Sequence, residues 1–102
     1  MRTLAFAVDD INSEAGLLAG AVEFRRYPKP DGPVRGIAFR CPCRCGYRSW
    51  MPVRSPGEPH RGTLEWEFNG DLASPSTTPS ILQSGLPCKW HGYLTNGEFV
   101  PC

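Results

Sequence analysis

Three stretches of the chain alternate apolar and polar residues with a period of two, the pattern of a half-buried β-strand. In GAVEFRRY (20–27), Val22 and Phe24 oppose Glu23 and Arg25. In RGIAFRC (35–41) and TLEWEF (63–68), the same rule turns Ile37 and Phe39, then Leu64, Trp66 and Phe68, toward a core. Eleven glycines and eleven prolines fall between such runs at short intervals, which punctuates short strands rather than long helices. GYLTNGEFV (92–100) reads as two strands about a tight turn, because Asn96-Gly97 supplies the positive φ angles of a two-residue hairpin loop. Only DDINSEAGLLAG (9–20) invites a helix, one or two turns long at best and equally readable as loop, with Asn12 or Ser13 as its cap and Gly20 as its stop. The expectation is one mainly β domain over residues 1–102, with at most a short helix near the N-terminus.

A chain of 102 residues buries a modest core, and domains of this size often add a metal or a disulfide. The net charge of +1 implies no electrostatic funnel toward nucleic acid or an anionic membrane, and the arginines are scattered. No apolar run approaches the roughly 20 residues of a membrane span. The run Leu4–Val8 is also too short for a signal-peptide core, so a cytoplasmic chain with reduced thiols is expected. Five cysteines cannot all pair, and C-x-x-C, the usual redox spacing, is missing. Reduced, clustered cysteines point to metal.

The cluster is CPCRCG, with Cys41, Cys43 and Cys45 followed by Gly46. A structural zinc takes four thiolate or imidazole ligands in a tetrahedron, usually as two separated pairs. CKWHG supplies a second pair, Cys88 and His91, as a C-x-x-H-G knuckle. Alternate residues of an extended segment share a face, so the first three sulfurs can point the same way. Six residues thus compete for four places. Cys88 and His91 rank first, Cys43 and Cys45 follow with Cys41 behind them, and Cys102, carried back past the hairpin, is second tier. His60, in a Pro/Gly loop, is read as exposed and incidental.

Away from the cysteines, NGDLASPSTTPSI (69–81) is the most distinctive loop. Its structural reading has Asn69-Gly70 turning and Asp71 and Ser76 accepting local backbone N–H groups. Its chemical reading makes Ser76, Thr78 or Ser80 a nucleophile, which needs a base, and His91 is the one strong candidate. A His91 bound to metal cannot serve freely as that base, so the structural reading is preferred. Hydrolytic zinc would need an open coordination place and a carboxylate such as Asp71 or Glu98. Trp50 follows the first knuckle and Trp90 lies inside the second, and with Arg44, Arg48 and Lys89 flanking they could stack single-stranded nucleic acid, a reading the near-neutral charge disfavours.

Taken together, CPCRCGY, WEFNGDLASPSTTPSIL and CKWHGYLTNGEF resemble a family of small Cys/His proteins of phages, prophages and bacteria, over about residues 19–102. The stretch 66–82 carries most of the likeness, in Trp66, Phe68, Asn69, Gly70, Asp71, Pro75, Ser76, Thr78, Pro79, Ser80, Ile81 and Leu82. Some members are called ammonia monooxygenases, a name no residue here supports. The resemblance implies a Zn2+-binding β fold with zinc-ribbon-like knuckles at strand ends. It places Cys41, Cys43, Cys45, Cys88 and His91 at the metal, with Arg44 departing from the glycine that relatives often carry. Some bacterial relatives resemble components of operons with ubiquitin-like modifiers, which makes a processing role conceivable. The first expectation is a zinc-stabilised accessory module that binds a host or phage protein. The alternatives are a zinc- or serine-dependent peptide hydrolase and, behind it, a single-stranded nucleic-acid binder.

Overall fold

A computed structural model describes residues 2–59, 64–83, 85 and 88–102. The chain is mainly β. Its strands are β1 (Thr3–Leu4), β2 (Phe6–Ala7), β3 (Ala21–Arg26), β4 (Val34–Arg40), β5 (Arg48–Arg54), β6 (Trp66–Phe68), β7 (Thr77–Thr78), β8 (Ile81–Leu82), β9 (His91–Thr95) and β10 (Glu98–Pro101). They form a four-stranded sheet in the order β1-β10-β9-β8 and a six-stranded sheet in the order β2-β3-β4-β5-β6-β7. The chain passes between sheets at two points, Ala5 and Pro79-Ser80. His60 lies outside the described residues. Among the described residues no helix is long and apolar enough to cross a membrane.

The alternating residues make the core where the two sheets face each other. Val22, Ile37, Phe39, Met51, Val53 and Phe68 of the larger sheet pack on Ile81, Leu94 and Phe99 of the smaller. Phe39 and Phe99 stack across the interface with ring centroids 5.3 Å apart. The hairpin β9–β10 closes as its sequence requires, with Asn96 at φ 49° and Gly97 at φ 77°.

Two expectations fail here for tertiary reasons. Leu64 is exposed and precedes β6, which starts only at Trp66, while Glu65 is buried. And β4 is not half-exposed: Ala38 and Arg40 are buried as well as Ile37 and Phe39. The segment 9–20, which forms one 3-10 turn at Ala15–Leu17 rather than a helix, lies over that second face, and Ile11 packs there with Ala21 and Ala38. Buried Glu23 accepts the Ile11 N–H at 2.8 Å.

Arg40 makes this cover specific. Its guanidinium donates to the carbonyls of Gly16 (2.9 Å), Gly46 (3.0 Å) and Ile11 (2.8 Å), tying the 9–20 segment to the cysteine loop. A lysine ammonium is a point charge on a flexible stem and cannot span three carbonyls in the plane of a fork. Arg40→Lys is expected to lower stability by about 1–3 kcal/mol, the cost of a buried polar group losing its partner. A chemical-denaturation midpoint equal to that of the parent protein would count against this role.

Candidate metal centre and serine–histidine pair

Cys41, Cys43 and Cys45 sit in the loop between β4 and β5. The Cys41 N–H donates to the Tyr47 carbonyl at 2.9 Å, and the Arg44 N–H returns to the Cys41 carbonyl at 3.2 Å. The sulfurs therefore converge by a tight turn rather than along an extended segment. That turn needs left-handed backbone at Arg44 (φ 72°) and Gly46 (φ 87°), which explains a glycine after the last cysteine. The second side of the site is Cys88, ahead of β9, with Lys89 at φ 48° turning the chain into the strand.

The Sγ atoms of Cys41, Cys43, Cys45 and Cys88 all lie within 4.8 Å of one another. Three of the separations are 3.1, 3.7 and 3.5 Å, for Cys41–Cys43, Cys41–Cys88 and Cys45–Cys88. A tetrahedron with metal–sulfur bonds of about 2.3 Å has edges of about 3.8 Å. The four thiols thus fit one metal ion, and all five cysteines of the chain are free of disulfides. Burial pushes the Cys41 and Cys43 thiols up from their ordinary range. Burial also opposes ionisation of Cys88, but the Trp90 N–H and the neighbouring thiols bring it down to about 7. Gln83 completes the surroundings. It is buried, its Nε2 donates to Cys41 Sγ at 3.0 Å, and its Oε1 accepts from the Ser49 hydroxyl. No sequence pattern marks Gln83, because only the fold brings it to cysteines 42 residues away.

His91 stands apart from the four thiols. In β9, His91, Tyr93 and Thr95 are exposed while Gly92 and Leu94 are buried. Trp90 decides this phase, packing edge-on against Phe99 at 5.9 Å, so the next residue must point to the outer face. The knuckle seen in C-x-x-H is therefore a turn entering a strand. Cys102 is likewise outside the thiol group; its N–H donates to the His91 carbonyl at 3.0 Å.

The imidazole instead meets a hydroxyl, with His91 Nε2 3.0 Å from Ser80 Oγ. Ser80 is the residue where the chain leaves the larger sheet for the smaller one. Its successor strand pairs with β9 in the register Ile81↔Gly92 and Leu82↔His91, which sets Ser80 beside the ring. Both partners are held by their backbones, Ser80 through its carbonyl, which accepts from the Trp66 indole N–H at 3.3 Å, and His91 through Cys102. Among the described residues, no side chain hydrogen-bonds the other ring nitrogen.

The remaining candidates of the 69–81 loop have structural partners. Asp71 Oδ1 accepts from the N–H groups of Ala73 (2.9 Å) and Ser74 (3.1 Å), as expected. Ser76 Oγ accepts from the Asn96 N–H at 2.8 Å, bracing the hairpin turn rather than its own loop. Thr78 pairs with Glu67 in the sheet, and Glu98 pairs with Arg2. Of the three hydroxyls raised by the sequence, only Ser80 reaches the imidazole.

Comparison with known proteins gives a short list. A 54-residue segment is 37% identical to the centriolar and ciliogenesis-associated protein HYLS1 of Mus musculus, covering 53% of this chain but only 15% of that protein. No solved structure matches. One family model, described as the bacterial ubiquitination-like system serine protease (BubE), matches residues 10–102, and so takes in the four thiols and the Ser80–His91 pair alike. With nearly its whole length matched, the chain belongs to the BubE family of bacterial ubiquitination-like system serine proteases.

Proposed function

We propose that this protein is a serine peptidase that cuts a peptide bond in a ubiquitin-like modifier or its conjugate, with Ser80 as nucleophile and His91 as general base. The observation that carries the reading is the 3.0 Å contact between Ser80 Oγ and His91 Nε2, on an exposed face, in a member of a serine protease family. It is the peptide-hydrolase alternative, favoured over a pure binding module because the pair supplies a catalytic unit.

With the ring proton on Nδ1, the Ser80 hydroxyl donates to Nε2. As Oγ attacks the scissile carbonyl, that proton passes to Nε2, and the imidazolium returns it to the departing amine. Water then attacks the acyl ester, again giving its proton to His91, and Ser80 leaves as the free hydroxyl. In this reading Cys41, Cys43, Cys45 and Cys88 would hold Zn2+ as a structural ion. A four-thiolate zinc has no open position, and its ligands' negative charge makes it a weak Lewis acid. Its part is to anchor the chain ahead of β9, and so to position His91.

A fluorophosphonate probe tests the nucleophile. Oγ displaces fluoride to form one Oγ–P bond, and peptide mass spectrometry is expected to find the label on Ser80 alone, and not at all in His91→Ala. Label on another residue, or a cleaving enzyme that the probe never modifies, would overturn the assignment.

A further inference from the structure

β8 is the edge strand of its sheet. The Gln83 N–H donates to the Trp90 carbonyl at 3.0 Å, which fixes the phase of the β8–β9 ladder. Hydrogen bonds then join Ile81 with Gly92, and the N–H and C=O of Leu82 point away from β9. These are a donor and an acceptor on an open edge, two residues from the nucleophile, or about 7 Å along the strand. Such an edge is a ready template for another extended segment.

Beside that edge lies a cavity of about 230 Å³, with Trp50, Met51, Trp66, Leu82 and Gln83 among its walls. The opposite wall exists because β6 pairs with β5 only at Val53 and Arg54, leaving the Ser49–Met51 half of β5 without a strand partner on that side among the described residues. At about 30 Å³ per water the cavity would hold seven or eight waters, which is room for one large side chain. Among the described residues that line it none is charged. A charged side chain entering it would lose hydration without gaining a counter-ion, whereas an apolar one would cover Leu82, which is 57% exposed.

We propose that the free edge of β8 binds the substrate as an added extended strand through Leu82, and that the adjoining cavity takes a large apolar side chain within about two residues of the scissile bond. This subsite rests on the Ser80–His91 reading for its meaning, yet it is a binding claim and can be tested without catalysis. Ser80→Ala protein, read by tryptophan fluorescence, is titrated with an acetylated octapeptide of alternating leucine and serine. The same peptide with aspartate for leucine serves as comparison. The leucine peptide is expected to bind at least about tenfold more tightly. N-methylation of its odd or of its even amides should abolish binding for one set only, because a paired strand offers alternate N–H groups to the edge. Leu82→Asp, at an exposed position that leaves the core alone, should weaken the leucine peptide about tenfold. No saturable binding up to roughly 1 mM, equal binding of both peptides, or equal effects of both methylated sets would overturn the subsite. Each of those failures leaves the probe labelling of Ser80 untouched, so the two readings fall separately.

Discussion

Ser80→Ala and His91→Ala are each expected to lower kcat for peptide cleavage by roughly four to six orders of magnitude, the range that loss of one member brings in serine peptidases. The double variant should be no worse than either single one, since a nucleophile and its base act as a unit. Fold and metal should be unaffected. Ser80 is half-buried at the crossover between sheets and His91 is exposed on β9, so neither change opens a hole in the Phe39–Phe99 core. Thermal melts and metal content of all three variants should match the parent. A His91→Ala protein that loses its metal would restore the imidazole to the ligand set and remove the base from the mechanism. A Ser80→Ala protein with residual turnover above a few per cent would move the nucleophile elsewhere.

The second large effect is the metal itself. Structural zinc contributes about 10–16 kcal/mol to the folding of small sites, as much as the whole stability of an ordinary domain. Cys41→Ser and Cys88→Ser are therefore expected to yield protein that purifies without metal and shows no cooperative melt. Cys102→Ser should carry one metal ion and melt like the parent, because that residue is tied to the His91 backbone and not to the thiols. Elemental analysis beside circular dichroism checks both halves. Acid should release the ion. Thiolates bind metal and thiols do not, and burial holds Cys41 and Cys43 above their ordinary range, so protons compete better as pH falls. A chain that stays folded and active after exhaustive chelation would show that the four sulfurs are not what holds it.

These two results together separate roles that the motif C-x-x-H runs together. Cys88 and His91 are three residues apart, yet one lies in the thiol cluster and the other contacts the Ser80 hydroxyl. In the proposed mechanism a metal at the four thiols would act on the Ser80–His91 pair through backbone. Cys88 begins the approach to β9, Gln83 joins the end of β8 to Cys41, and the ladder between the two strands sets Ser80 against His91. A chelator should therefore stop catalysis by loosening the strands, at the rate at which the fold is lost.

What the amino-acid sequence determined by itself is local. Alternation with a period of two made Val22, Ile37, Phe39 and Phe68 core residues, and Asn96-Gly97 made a hairpin, because side-chain phase and turn dihedrals are properties of a few consecutive residues. The density of CPCRCG with Cys88 likewise pointed to metal, and the four thiols do converge to metal-binding distance. What the tertiary structure decided is every pairing between distant segments. Leu64 went to solvent, both faces of β4 were covered by the 9–20 segment and the opposite sheet, and Gln83 arrived at Cys41. The orientation of His91 turned on one contact, Trp90 against Phe99, which set the phase of β9. A strand residue points one way or the other according to what its neighbour buries, and that neighbour's partner is chosen by the packing of the whole chain.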